Sequence, residues 1–174
     1  MPELTGPSLL IHDSWPTFKS KEPLEAFEDF NHELEWLTIP VGRTKDRQPL
    51  DCFGFGPWKA FIKQVDHHIF LHDIELTMAK RDREFQKHSL VHNQLCASRF
   101  INMWKYSFFK AKIISEQPES FEHPVKYCFT KLPRFCSVNQ CENDSFIRCS
   151  HCTDEEKNCF CFHHWFTKNH YHAL

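Results

Sequence analysis

The residue types most able to do chemistry crowd one end of this chain. Written as spacing, the stretch reads Cys136-x4-Cys141-x7-Cys149-x2-Cys152-x8-Cys161-x2-His164-x5-His170-x-His172. Thiolate and imidazole are the donors zinc prefers, four to an ion in a tetrahedron, and structural sites leave no open position. Close pairs suit this because a tight turn lets two side chains converge on one ion. Four pairs supply eight ligands, enough for two zinc ions.

Two ions can be wired in chain order or crossed. In order, Cys136, Cys141, Cys149 and Cys152 share one ion. Crossed, Cys136, Cys141, Cys161 and His164 hold one ion, and Cys149, Cys152, His170 and His172 hold the other. The short gaps favour crossing, which ties the end of the segment to its middle and lets it fold with little core. Cys159 and His163 stand as substitutes for Cys161 and His164, and Cys128 and His151 are spare donors.

The chain has nine cysteines, an odd number, and seven lie between Cys128 and Cys161. A secreted disulfide framework would carry an even count, a leader and a wider spread. Metal is therefore read ahead of disulfides. It is also read ahead of idle thiols around an apolar mini-core of Phe160, Phe162, Trp165 and Phe166. With no apolar run of membrane-spanning length and no leader pattern, the expectation is an intracellular protein, nuclear or cytoplasmic, with no membrane partner.

The tail "CFHHWFTKNHYH" has the Cys-x2-His-x5-His-x step of AN1-type zinc fingers, with His172 where that family has Cys. The paired-cysteine layout also resembles the tails of piggyBac-type transposases. Both resemblances cover only residues 136–172 and depart from the pattern in the x4 first pair and the longer gap to Cys161. They imply a crossed zinc module, which the ubiquitin system often uses for protein contacts. A second, fainter resemblance runs through "VDHHIFLHDIELTMAKRDREFQKHSLVHNQLC". Its Asp66-His67 pair followed by His92 and Asn93 is similar to His-metal finger nucleases, which would make His67 the general base and His92 or Asn93 a metal holder. Those nucleases need a strand pair before their helix, and this stretch reads as helix throughout. His68 and His72, like His88 and His92, lie four apart and share a helix face. Solvated surface histidines are the simpler reading.

Charge is uneven. Residues 1–56 hold ten acids and five bases, whereas 80–112 hold eight bases and two acids. Within the basic stretch Arg99, Lys105, Lys110 and Lys112 alternate with Phe100, Trp104, Tyr106, Phe108 and Phe109. Cations that neutralise phosphate beside aromatic faces are the makings of a nucleic-acid surface. The alternative is a solvated face over a core of Phe100, Trp104 and Phe108.

The elements that must position these groups are mainly helical. Residues 1–21 read as an extended arm. Leu24, Phe27, Phe30, Leu34 and Leu37 recur at helical spacing after Pro23. Residues 38–57, with three Pro and three Gly, read as a loop with a short strand. From Trp58 to Gln117 there is neither Gly nor Pro, and Trp58, Phe61, Ile62, Val65 and Ile69 mark one helical face. One helix of that length is too long for a compact domain, so a break is expected between about 72 and 90. Leu90, Leu95, Phe100, Ile101, Trp104 and Phe108 support a later helix. The expected division is an arm (1–21), a helical domain (22–114), a linker (115–127) and a cross-braced, treble-clef-like zinc module (128–174).

The function expected from this is a zinc-binding, nucleic-acid-associated regulator or accessory protein rather than an enzyme. The chain's size and terminal zinc module also resemble the accessory non-structural proteins of densoviruses, which implies a replication or expression helper. The alternatives are a protein-interaction module presenting Trp165 and Phe166 to a protein partner, and the metal-dependent nuclease.

Overall fold

A computed structural model describes residues 7–16, 34–76, 79–154 and 157–173. Contacts sort the chain into two compact units. One is Met1–Gly54 with Lys105–Pro118, and the other is Phe55–Trp104 with Glu119–Leu174.

In the first unit, β1 (Ser8–His12) and β2 (Leu34–Thr38) pair in parallel, from Ser8 opposite Leu34 to His12 opposite Thr38. Leu34 and Leu37, expected at the end of a helix, are thus in a strand. The rest of that expected helix, residues 22–33, lies outside the described residues. Trp36 and Thr38 fit a pleated surface, and pairing with SLLIH outweighs the helical spacing at Leu34 and Leu37. The pair runs on into Ile39, whose N–H meets the His12 carbonyl at 2.8 Å and whose side chain is buried. The expected loop 38–57 is largely helical instead, with α1 (Thr44–Arg47) and a π-helical turn (Leu50–Gly54).

The second unit begins with α2 (Phe55–Leu71) and α3 (Lys80–Leu95). The expected break therefore falls at 72–79. Pro57, Phe61 and Val65 form the buried stripe of α2, and Leu90, Val91, Gln94 and Leu95 that of α3. Lys87, also buried, fastens the two helices. Its Nζ lies 2.6 Å from Asp66 on α2 and 2.8 Å from Glu84 on its own helix. The late apolar run makes not one helix but a 3₁₀ turn (Ser98–Phe100) and α4 (Ile101–Lys110). Trp104 Nε1 donates to the Leu95 carbonyl at 2.8 Å, supplying a partner to the end of α3. α5 (Pro124–Phe129) starts with Pro at its first turn and is capped by His123 Nδ1, which accepts from Val125 N–H.

A chain with no glycine after Gly56 must end its helices with other residues. Asp73, Lys112 and Asn169 do so, at φ of 46°, 59° and 52°. Each heads the same pair of closing bonds: Asp73 N–H to Phe70 O with Ile74 N–H to Ile69 O, then Lys112 to Phe109 with Ile113 to Phe108, then Asn169 to Phe166 with His170 to Trp165. This is the Schellman arrangement, which satisfies the last carbonyls of a helix. The third instance delivers the chain directly to His170.

β3 (Ile147–Arg148) and β4 (Cys159–Phe160) form a short antiparallel pair, and a π-helical turn (His163–Thr167) follows. Phe160, Phe162, Trp165 and Phe166 are buried, but not as a separate mini-core. Trp165, fully enclosed, meets Phe61 of α2 at 6.5 Å and Phe146 at 5.6 Å between ring centroids. The helices and the Cys/His segment of this unit share one core.

Candidate metal centre

The short β3–β4 pair sets the geometry. Cys149 follows β3, and its N–H meets the Asn158 carbonyl at 2.7 Å. Cys161 follows β4, and the π-helical turn then carries His164. A bridge between Phe135 and Asp144 closes the loop that holds Cys136 and Cys141, with Gln140 turning at a φ of 60°. Cys136 N–H bonds to Asn143 O, and Ser137 N–H bonds to Cys159 O at 2.8 Å, which lays this loop beside β4.

Two groups of four donors result. Cys136, Cys141, Cys161 and His164 form one, and Cys149, Cys152, His170 and His172 form the other, with the donor atoms of each group within 4.8 Å of one another. The pairs are crossed, first with third and second with fourth. Zinc with Zn–S of about 2.3 Å and Zn–N of about 2.0–2.1 Å has tetrahedral edges of about 3.8 Å (S to S), 3.6 Å (S to N) and 3.3 Å (N to N). In the first group Cys141 Sγ to Cys161 Sγ is 3.9 Å, and His164 Nδ1 lies 3.3 Å from both Cys136 Sγ and Cys161 Sγ. In the second, Cys149 Sγ to His172 Nε2 is 3.3 Å, Cys152 Sγ is 3.5 and 3.6 Å from the Nε2 atoms of His170 and His172, and those two nitrogens are 3.0 Å apart. These distances match such edges to within a few tenths of an ångström, and each set could hold a metal ion.

Electrostatics agree. Without a cation among them, burial and the neighbouring Cys149 push the Cys152 thiol up to about 12. Burial likewise raises Cys161, although the His164 N–H opposes it. Cys141 is lowered, chiefly by the Asn143 backbone N–H. Burial, with His172 and His151 nearby, brings His170 down to about 4, and burial and His151 lower His172. His170 and His172 are held towards the neutral form, which binds metal. Cys152 and Cys161 resist ionising, and a divalent cation would remove that resistance.

The other histidines and cysteines lie elsewhere. Cys159 turns its thiol to Asn158 Oδ1 at 3.2 Å, and His163 is exposed, so neither substitute enters a group. Cys128 is fully buried, and burial holds its thiol well above the ordinary range. His151 stacks on His172 with centroids 4.9 Å apart. Among the described residues, His67, His68, His72, His88 and His92 belong to no group of three or more candidate ligands. His68 packs against Phe146 and Phe162, and His88 and His92 flank Trp58. Asp66 and His67 sit on α2, with Asp66 held by Lys87, while Asn93 is bonded to the backbone of His172. His67, His72, His88 and His92 are exposed, as surface histidines would be, and His68 is half-buried.

The phosphate candidates divide. Lys105, Lys110 and Lys112 are exposed. The Arg99 head group is not free: its Nε donates to Ser150 O at 2.8 Å, and its guanidinium lies 3.9 Å from the Tyr127 ring centroid. The expected core of α4 also shifts. Phe100, Met103, Ser107 and Ala111 are buried, whereas Phe108 is exposed. Trp165 and Phe166 are 0% and 1% exposed, so they cannot be the surface an interaction module presents. Asn93 and Gln94, both fully buried against the second group, were missed as its neighbours, and nothing in the sequence marks them as such.

Residues 104–172 match the family model of the Tc5 transposase C-terminal domain. No curated protein and no solved structure matches the chain. The matched region is similar to the C-terminal domain of Tc5 transposases, whereas the paired-cysteine layout had resembled piggyBac-type tails. The match shows no AN1-type or viral family.

Proposed function

We propose that this chain is a zinc-binding, DNA-associated regulatory or accessory protein acting in the nucleus, with one zinc ion in each Cys/His group and a binding rather than catalytic role. The observation that carries this is the coincidence of two things. Two crossed sets of four donors each converge closely enough to hold a metal ion, and they lie in a stretch similar to a transposase tail. Zinc would supply the cross-links that hold the segment from Cys136 to His172; the chain itself supplies the exposed cations. Lys105, Lys110 and Lys112 are the phosphate contacts, and Arg99, committed to Ser150 and Tyr127, is not. The role as a viral replication or expression helper is the narrower form of this proposal and rests on size and layout alone.

The test is binding to duplex DNA, single-stranded DNA and RNA across a salt series, with zinc present. The expected result is salt-sensitive binding of micromolar order or weaker. Replacing Lys105, Lys110 and Lys112 together should flatten the slope by about one unit per lost phosphate contact. Absence of binding at low salt would sink the nucleic-acid reading. Nicking of DNA with added magnesium would sink the non-catalytic one.

A further inference from the structure

The first group is closed by its own loops. The second is not. Helix α3 ends beside it with two amide side chains, Asn93 and Gln94, both with no exposed surface. Asn93 grips the last ligand residue by both of its peptide groups. Its Nδ2 donates to His172 O at 2.8 Å, and its Oδ1 accepts from His172 N–H at 3.1 Å. The backbone partners fix which end of the amide is which. The Asn93 carbonyl also accepts from His151 Nε2 at 2.6 Å, and the His151 ring stacks on His172. Gln94 serves the other end of the group. Its Nε2 approaches Cys149 Sγ at 3.5 Å, and its Oε1 accepts from the Ser150 N–H at 2.8 Å. The Ser150 hydroxyl lies 2.6 Å from Gln94 O.

Burying two amides on a helix face otherwise made of Leu90, Val91 and Leu95 is costly unless each finds partners. The partners they find are a candidate ligand's sulfur and the backbone on either side of candidate ligands. Among the described residues, the bond from α3 towards the first group is more remote: Gln86 Nε2 donates to Phe166 O at 2.7 Å, on the turn that carries His164, and touches neither a ligand's sulfur nor a ligand's own peptide. The first group's sulfurs are approached by Asn143 Nδ2 at 3.9 Å and by the His164 N–H at 3.4 Å, both from its own segment.

We infer that Asn93 and Gln94 are positioning residues of the second metal site, so that its affinity is set by a helix lying before the residues that match the transposase tail. The inference rests on the two-metal reading. Asn93 holds the His172 backbone so that Nε2 faces its three partners. Gln94 withdraws charge from the Cys149 thiolate through an N–H···S bond and holds the peptide that follows it. Outer partners of this kind orient the ligands and tune the metal, and their loss typically costs about 10–100-fold in affinity.

The experiment uses the full chain loaded with zinc, and then with cobalt, whose thiolate charge-transfer bands distinguish a three-sulfur from a two-sulfur site. Asn93→Asp keeps the acceptor and loses the donor. Gln94→Leu removes the N–H···S bond. In chelator competition, each variant should release one of its two zinc ions about 10–100-fold more readily than the parent, with the other unchanged. In the cobalt protein only the two-sulfur spectrum should respond, and Gln94→Leu should move its charge-transfer band to lower energy. The first site acts as an internal reference for correct folding. Parent-like release with unmoved bands overturns the inference, as does weakening of both sites in step. A parent chain that holds no metal overturns the two-metal reading and this inference with it. A parent that holds two, with indifferent variants, overturns this one alone.

Discussion

The two Cys/His groups lie in one small segment, yet they are built differently. The first has three thiols and one imidazole, all on the loops around β4. The second has two of each, ends at His172, and is braced by α3 through Asn93 and Gln94. With zinc bound, the first would carry one net negative charge and the second none. On the two-metal reading, one site would draw its rigidity mainly from its own turns and the other from a neighbouring helix. A site of the second kind links metal binding to the packing of that helix.

Stripping both metals should have the largest effect. Structural zinc sites supply about 10–16 kcal/mol in small metal-folded peptides at neutral pH. Metal-free protein should lose the order of the segment from Cys136 to His172 in hydrogen exchange while α2 keeps more of its protection. Unchanged protection throughout would show that the aromatic core suffices without metal.

Next is Trp165→Ala. The ring is fully enclosed and packs on Phe61 and Phe146, so the loss should be about 3–5 kcal/mol by urea unfolding. Trp165 stands in the chain between His164 and His170, so both sites should weaken in step. A selective loss at one site would mean that the contrast extends into the core.

Wiring comes third. Cys136→Ser and Cys161→Ser should each remove one metal by native mass spectrometry, and the double variant should add little to either, a coupling of about 0.5–3 kcal/mol. Cys149→Ser should behave this way with His172→Ala and additively with Cys136→Ser. The thiolate-rich first site should also take cadmium ahead of the second, because softer donors favour the softer ion.

The smallest expected effect is on acid stability. His68, packed on Phe146 and Phe162, is held at about 4, chiefly by burial and then by His72. Below the ordinary histidine value of about 6.5 the unfolded chain takes a proton that folded His68 refuses, so stability falls as pH drops from 6.5 towards 4. After discounting for partial exposure, the contribution is about 1 kcal/mol. The difference in urea midpoint between His68→Phe and the parent should widen in the variant's favour over that window. A constant difference would show that His68 is protonated alike in both states.

Much of this site was legible in the sequence because ligand chemistry is local. Few residue types bind zinc, and close pairs can converge on one ion. Cys136 through His172 could therefore be sorted into two crossed sets from spacing. Spacing put Cys161 and His164 first but left Cys159 and His163 open as substitutes, and only the fold removes them. The outcome depends on how the chain turns after β4: Cys159, within the strand, gives its thiol to Asn158 Oδ1, and His163 is exposed on the turn that follows. The β1–β2 pair was hidden for a different reason: Leu34 and Leu37 lie three apart, a helical spacing, and a partner strand more than twenty residues away overrode it.

The sequence by itself determined the donor inventory, its pairing, the helical character of the Gly- and Pro-free stretch and the break within it. These follow from residue chemistry and short-range periodicity. Only the tertiary structure decided that Arg99 spends its charge on Ser150 and Tyr127, that Trp165 and Phe166 face inward, and that Asn93 and Gln94 serve the second metal group. An asparagine or glutamine on a helix looks solvated in any sequence pattern. Its burial is tolerable only once another segment arrives with an N–H, a carbonyl or a sulfur to match, and that arrival is a property of the fold.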